Sequence, residues 1–135
     1  MARKIFVNLP VKDLQRSIAY FEKLGFANNK QFTDETAACM VVSDDIFVML
    51  LTHPKFQSFT DKEIADATKV TEVMTCLSAD SKAEVDKLCD AGLAAGGSAH
   101  MPPMDFGFMY GRSFNDIDGH VWEVVWMDPS KIEGN

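Results

Sequence analysis

The strongest chemical candidate in this sequence is Glu123. It stands inside Val121-Trp122-Glu123-Val124-Val125-Trp126, an otherwise unbroken apolar run. Alternation along a strand puts Val121, Glu123 and Val125 on one face and Trp122, Val124 and Trp126 on the other. A carboxylate on a half-buried face must find a partner, accept hydrogen bonds or take up a proton. Such an acid can work as a general base or acid, or grip a donor on a ligand. The alternative is a structural carboxylate paired with Arg112 or a tyrosine hydroxyl.

A second cluster is Phe106-Gly107-Phe108-Met109-Tyr110-Gly111-Arg112, two glycines among aromatics ending in an arginine. Glycine in a strand permits a bulge or the close approach of a ligand. Tyr110 and Arg112 share one face, as a hydrogen-bond donor and an anion grip. The rival reading is a bulge with a surface arginine paired to one of the many acids. Met101-Pro102-Pro103-Met104-Asp105 before it reads as a loop at a cavity rim. His53, His100 and His120 are not spaced as metal ligands, and only His100 is placed to move a proton near that rim. No G-x-S-x-G elbow, phosphate loop or dinucleotide fingerprint is present.

The whole chain has to position these groups within 135 residues, 47% hydrophobic and 24% charged, the balance of one ordinary globular domain. A net charge of −7 argues against nucleic acid and anionic membrane surfaces. The longest apolar runs, such as 46–51, are too short to span a bilayer. No signal-peptide core follows Met1, and Cys39, Cys76 and Cys89 form an odd set without a CxxC pair. Buried free thiols and a cytoplasmic location are therefore expected.

The apolar patterning predicts strand, helix, then three strands, twice over. A period-two strand covers 4–11, and Asp13 caps a helix over 14–24 stopped by Gly25. Strands follow at 26–32, 37–43 and 46–52. Repeat one thus spans about 4–53, and 54–69 is a polar linker with one short helix. Repeat two spans about 70–128: a strand at 71–79, a helix from the Ser81-x-x-Glu84 capping box to about Ala95, then strands near 98–100, 108–115 and 120–127. Asp118-Gly119 makes the last hairpin turn, and 128–135 is expected to fray. This period suggests a duplicated βαβββ unit. The fold class is α+β, with helices on the outer faces and the other sheet faces forming a concave ligand cup.

Val11-Lys12-Asp13-Leu14-Gln15-Arg16-Ser17-Ile18-Ala19-Tyr20-Phe21 resembles the V-x-D-L-x-x-S-x-x-F-Y opening of the glyoxalase, bleomycin-resistance and extradiol-dioxygenase (vicinal oxygen chelate) superfamily. Phe114-Asn115-Asp116-Ile117-Asp118-Gly119-His120-Val121-Trp122-Glu123 is similar to its closing F-x-D-P-D-G-x-x-x-E, with Ile117 in place of proline. Leu77-Ser78-Ala79-Asp80 resembles the end of the second repeat's first strand. The resemblance covers essentially the whole chain. It implies paired βαβββ modules forming an open U-shaped sheet, very often in a homodimer, around a divalent metal and a small substrate.

The resemblance also implies where metal ligands would fall, on four inward strand positions. The first falls on Phe6, where a metalloenzyme would carry histidine, with Asn8 on the same strand face. The second falls near Met49, the third on Met74, and only the fourth keeps its acid, Glu123. One carboxylate with two thioethers and a phenyl ring does not suit nickel, zinc, iron or manganese. Glu123 is then either a working carboxylate or a relic of a metal-binding ancestor. No cofactor is expected, and no nucleic acid or membrane partner.

The expectation is a cup that binds a small organic molecule. Phe6, Met49, Met74 and Trp122 supply apolar contact, and Asn8, Tyr110, Arg112 and Glu123 the polar ones. It would act by sequestration or by Glu123-assisted proton transfer. The alternative is a metal-dependent glyoxalase-like lyase or isomerase, or a ring-cleaving dioxygenase; a third class is a non-catalytic dimer acting through its surface.

Overall fold

Two compact units meet in sequence between Asp66 and Ala67 in the computed structural model, which describes residues 3–132. In the first, strand β1 (Ile5–Val11) leads to helix α1 (Leu14–Lys23). The Asp13 carboxylate accepts from the Arg16 amide at 3.2 Å and fixes the helix start, as a good N-cap does. Gly25, at φ 99°, ends it in a conformation that a Cβ disfavours. Strands β2 (Ala27–Asn29), β3 (Ala37–Val41) and β4 (Ile46–Thr52) complete a four-stranded sheet in the order β1-β4-β3-β2.

Helix α1 buries Leu14, Ile18 and Phe21 beside the sheet side chains Leu9, Val11, Ala38, Met40, Val48 and Leu50. The strand expected over 26–32 stops at Asn29. The Asn29 side chain accepts from the Gln31 amide at 3.1 Å, and Lys30–Phe32 turns into a short 3-10 helix. Asparagine competing locally for backbone donors wins over strand propensity here. Helix α2 (His53–Gln57), capped by Thr52, is the short helix expected after repeat one.

The second unit repeats this plan. Strand β5 (Met74–Ser78) precedes helix α3 (Lys82–Ala94), and β6 (Ser98–Ala99), β8 (Met109–Asn115) and β9 (Val121–Met127) give the order β5-β9-β8-β6. The two orders are the same, and the first strand is parallel to the last in both. The Ser81 hydroxyl accepts from the Glu84 amide while Glu84 reaches back to the Asp80 amide, satisfying two donors at the start of α3. Val85, Cys89, Leu77, Phe114, Trp122 and Val124 form the core under that helix.

Two short elements depart from expectation. Met104–Asp105, read as loop, forms strand β7 against β8. Pro129–Ile132, expected to fray, is helix α4, with Asp128 accepting from the Ser130 amide and hydroxyl. The rest of the expected frayed tail, 133–135, lies outside the described residues. Both elements are too short for hydrophobic periodicity to reveal. No helix among the described residues is long and apolar enough to cross a membrane.

Candidate functional site

Each sheet carries its helix on one side only, so the strand parity that fills the core also decides what the other side displays. In the second unit, Phe114, Trp122 and Val124 point toward α3 and are 1% exposed. Their neighbours in sequence therefore define the helix-free face. Glu123 is opposite Cys76 on β5 and opposite Ser113 on β8. Met74 is opposite Val121 on the same face and is 56% exposed. Glu123 is half-buried between these strands.

Cys76 is a residue that sequence reasoning missed. All three cysteines are free, and Cys39 and Cys89 are buried as expected, but Cys76 is exposed. Partial burial pushes its thiol up from the ordinary value, and the negative charge of Glu123 adds to the effect. Parity relative to the buried Leu77 was the signal that could have placed Cys76 beside Glu123 on the open side.

In the first unit the helix-free face carries Phe6, Asn8 and Met49. Phe6 is opposite Phe47, and the two rings stack with centroids 4.8 Å apart. Asn8 is opposite Met49, which is opposite Cys39 on β3. Phe6 remains 53% exposed, a large ring left uncovered by its own unit. These three sequence candidates share one face.

Three other candidates belong elsewhere. Tyr110 and Arg112 do share a face, but it is the face toward α3, not that of Glu123. The Tyr110 hydroxyl donates to Asp86 Oδ1 at 2.6 Å, and Arg112 Nη1 donates to Asp86 Oδ1 and Asp90 Oδ1, both at 2.9 Å. Asp86 is held below the ordinary carboxylate range by the Tyr110 hydroxyl first and Arg112 second. The same bond pushes the Tyr110 phenol up. Arg112 is thus matched to two acids one helical turn apart on α3, and the surface-pairing alternative describes it. The pairing of Arg112 with Glu123 is overturned.

Trp122 is the third. It is 1% exposed in the core under α3, so it offers no apolar contact on the face of Glu123. Its indole Nε1 donates to Asp116 Oδ2 at 2.9 Å. Asp116 Oδ1 accepts from the amides of Asp118 and His120, which ties the β8–β9 turn to the core. Burial raises the Asp116 pKa most, with His120 and the three N–H donors opposing it. No buried side-chain nitrogen or oxygen among the described residues is left without a partner.

The two sheets of like topology, the cross-strand pairs above and the D-x-D-G turn define a class of protein. The sequence model of the Glyoxalase/Bleomycin resistance protein/Dioxygenase superfamily matches residues 5–124, and the chain belongs to that superfamily. Among solved structures it is similar to a hypothetical protein from S. aureus, at 28% identity and a TM-score of 0.78, covering 93% of this chain and 95% of that one. It is also similar to a glyoxalase/bleomycin resistance protein/dioxygenase family enzyme from Burkholderia phytofirmans (17% identity, 93% and 99% covered, TM-score 0.78). A third is a bleomycin resistance determinant encoded on the transposon Tn5 (18% identity, 94% and 99% covered, TM-score 0.66). Comparison with curated proteins gave no match.

Proposed function

We propose that this protein binds a small organic molecule against the helix-free side of its second sheet, with Glu123 as the polar anchor and without the divalent metal of its metalloenzyme relatives. The observation that carries the reading is the register around Glu123. Its cross-strand neighbours are a thiol and a hydroxyl, Cys76 and Ser113, and Met74 lies two residues from Cys76. Nickel, zinc, iron and manganese are held by three or four good protein donors, and one carboxylate with a single neighbouring thiol falls short of that number, a hydroxyl and a thioether being weak additions. The helix-free face of the first sheet, taken by itself, carries Phe6, Asn8 and Met49, which bring no charge and no imidazole. The donor set does not fit the family's metal.

What that set does suit is an apolar ligand with one or two polar atoms. Exposed Met74, on the same face as Glu123, gives polarizable, adaptable contact surface. Glu123 accepts hydrogen bonds from a ligand N–H or O–H, and in the ionised form it can take a proton from an acidic C–H or O–H held against it. Sequestration needs only the first of these; metal-free proton transfer needs both.

A thermal-shift screen of small aromatic and heterocyclic compounds on chelator-treated protein tests the reading. A ligand at a hundredfold excess over its Kd stabilises by about 2.7 kcal/mol, several degrees in Tm. The expected hits stabilise the chelator-treated protein and lose their effect in Glu123→Gln. Hits that appear only after nickel, zinc, iron or manganese is restored would count against it.

A further inference from the structure

Away from Glu123, the second unit contains a cavity of about 410 Å³ at the β8–β9 end of its sheet. That volume falls within the roughly 300–1,000 Å³ of small-molecule sites. Asn115 and Val121 contribute to its wall, whereas Met74, Cys76, Ser113 and Glu123 do not line it. The far wall is the segment 67–71, which is packed onto the hairpin turn. Gly119 sits there at φ 91°, and a Cβ on it would lie 2.8 Å from the Ala67 carbonyl carbon and oxygen. The absence of a side chain at 119 lets that segment close over the turn.

The polar lining is unbalanced in favour of donors. Lys69, Thr71 and His100 line the cavity, and among the described residues their side chains have no hydrogen bond or ion pair. Ser98 Oγ accepts from Asn115 Nδ2 at 3.2 Å, so its own O–H remains available. The one carboxylate in the wall, Asp116, is already engaged by two backbone amides and the Trp122 indole. Lys69 brings three donors and a positive charge with no acceptor capacity.

We propose that this cavity is a second binding site, for a small organic molecule bearing a carboxylate or phosphate group held by Lys69, Thr71, Ser98 and His100. A lysine supplies a point charge, and the hydroxyls and the imidazole N–H supply the directed bonds that an oxyanion accepts. The site is independent of the ligand proposed at Glu123.

The test is an amide chemical-shift titration of the ¹⁵N-labelled full chain with inorganic phosphate and, separately, with succinate, at constant ionic strength. The expected result is saturable shifts at 67–71, 96–100 and 115–121 with at least one probe, and the stronger probe identifies the preferred oxyanion. Lys69 is exposed, so Lys69→Gln folds, and it should weaken binding by roughly tenfold through loss of a charge-assisted bond. Glu123→Gln should leave the same titration unchanged. The proposal is overturned if neither probe saturates, if shifts spread over the other surface lysines, or if Lys69→Gln binds as well as the native chain. Loss of binding in Glu123→Gln would also overturn it, because the anion would then belong to the face of that acid.

Discussion

Cys76 and Glu123 stand directly opposite one another across the parallel β5–β9 ladder, on the side of the sheet that carries no helix. An exposed thiol beside the carboxylate makes this face chemically readable. The Glu123 charge contributes to the raised Cys76 pKa, after burial. Glu123→Gln should therefore lower that pKa and raise the thiolate fraction at pH 8. Alkylation of Cys76 by iodoacetamide, followed by peptide mass spectrometry, should run a few-fold faster in the variant. Native Cys39 and Cys89 should stay unmodified over the same interval. An unchanged rate at Cys76 would mean that the two side chains do not interact.

Gly92 is buried on α3, and a Cβ there would lie 2.7–2.9 Å from three ring atoms of Phe114. Alanine gains up to about 1 kcal/mol in helix propensity over glycine. Overpacking a filled core costs about 1–3 kcal/mol, and Phe114, 1% exposed, has nowhere to move. Gly92→Ala should be net destabilising, by up to about 2 kcal/mol in urea unfolding, the difference between those two terms. A neutral or stabilised variant would show that α3 can shift on the sheet.

Asp116 accepts from the Trp122 indole and two backbone amides. An amide nitrogen in place of one oxygen cannot accept the indole N–H, so Asp116→Asn should lose about 1–3 kcal/mol at neutral pH. The pH dependence follows from burial. The folded pKa is raised, so the benefit of the protonated acid is complete below the unfolded value near 4 and is lost as pH rises through the folded value. In urea unfolding, the native chain's advantage over the variant should widen, not narrow, as pH falls from 7 toward the unfolded value near 4.

The Tyr110–Asp86–Arg112 group behaves oppositely. The folded pKa of Asp86 is lowered, so its contribution is present above the unfolded value near 4 and disappears as pH falls through the folded value. The Asp86 side chain is 46% exposed, and solvent screening limits the effect to under about 1 kcal/mol. Asp86→Asn should be slightly less stable than the native chain at pH 7, with the gap narrower at the lowest pH at which both chains stay folded. Urea midpoints at the two pH values decide this.

Much of the fold was legible because it rests on long-period signals. The Asp13 and Ser81 caps, the Gly25 stop, the Gly119 turn and the twofold βαβββ grammar all appear where the sequence puts them. The two-residue strand β7 and the 3-10 turn after Asn29 did not, since neither is long enough for a pattern. At the site, alternation placed Glu123 correctly opposite to Trp122, yet Trp122 was also expected to line the ligand. Tyr110 and Arg112 were given the right common face and assigned to the wrong side. Parity with Phe114, two residues beyond Arg112, carried the answer, because a phenylalanine in that strand had to fill the core. The acids that hold Arg112, Asp86 and Asp90, are one turn apart on α3, and no local reading of β8 points to them.

The face around Glu123 either holds a divalent ion or does not, and metal retention decides which. Chelator-treated protein, dialysed separately against nickel, zinc, iron(II) and manganese and then against buffer alone, should retain far less than one equivalent by elemental analysis. One full equivalent of any of the four, retained by the native chain and lost in Glu123→Gln, would contradict the metal-free reading.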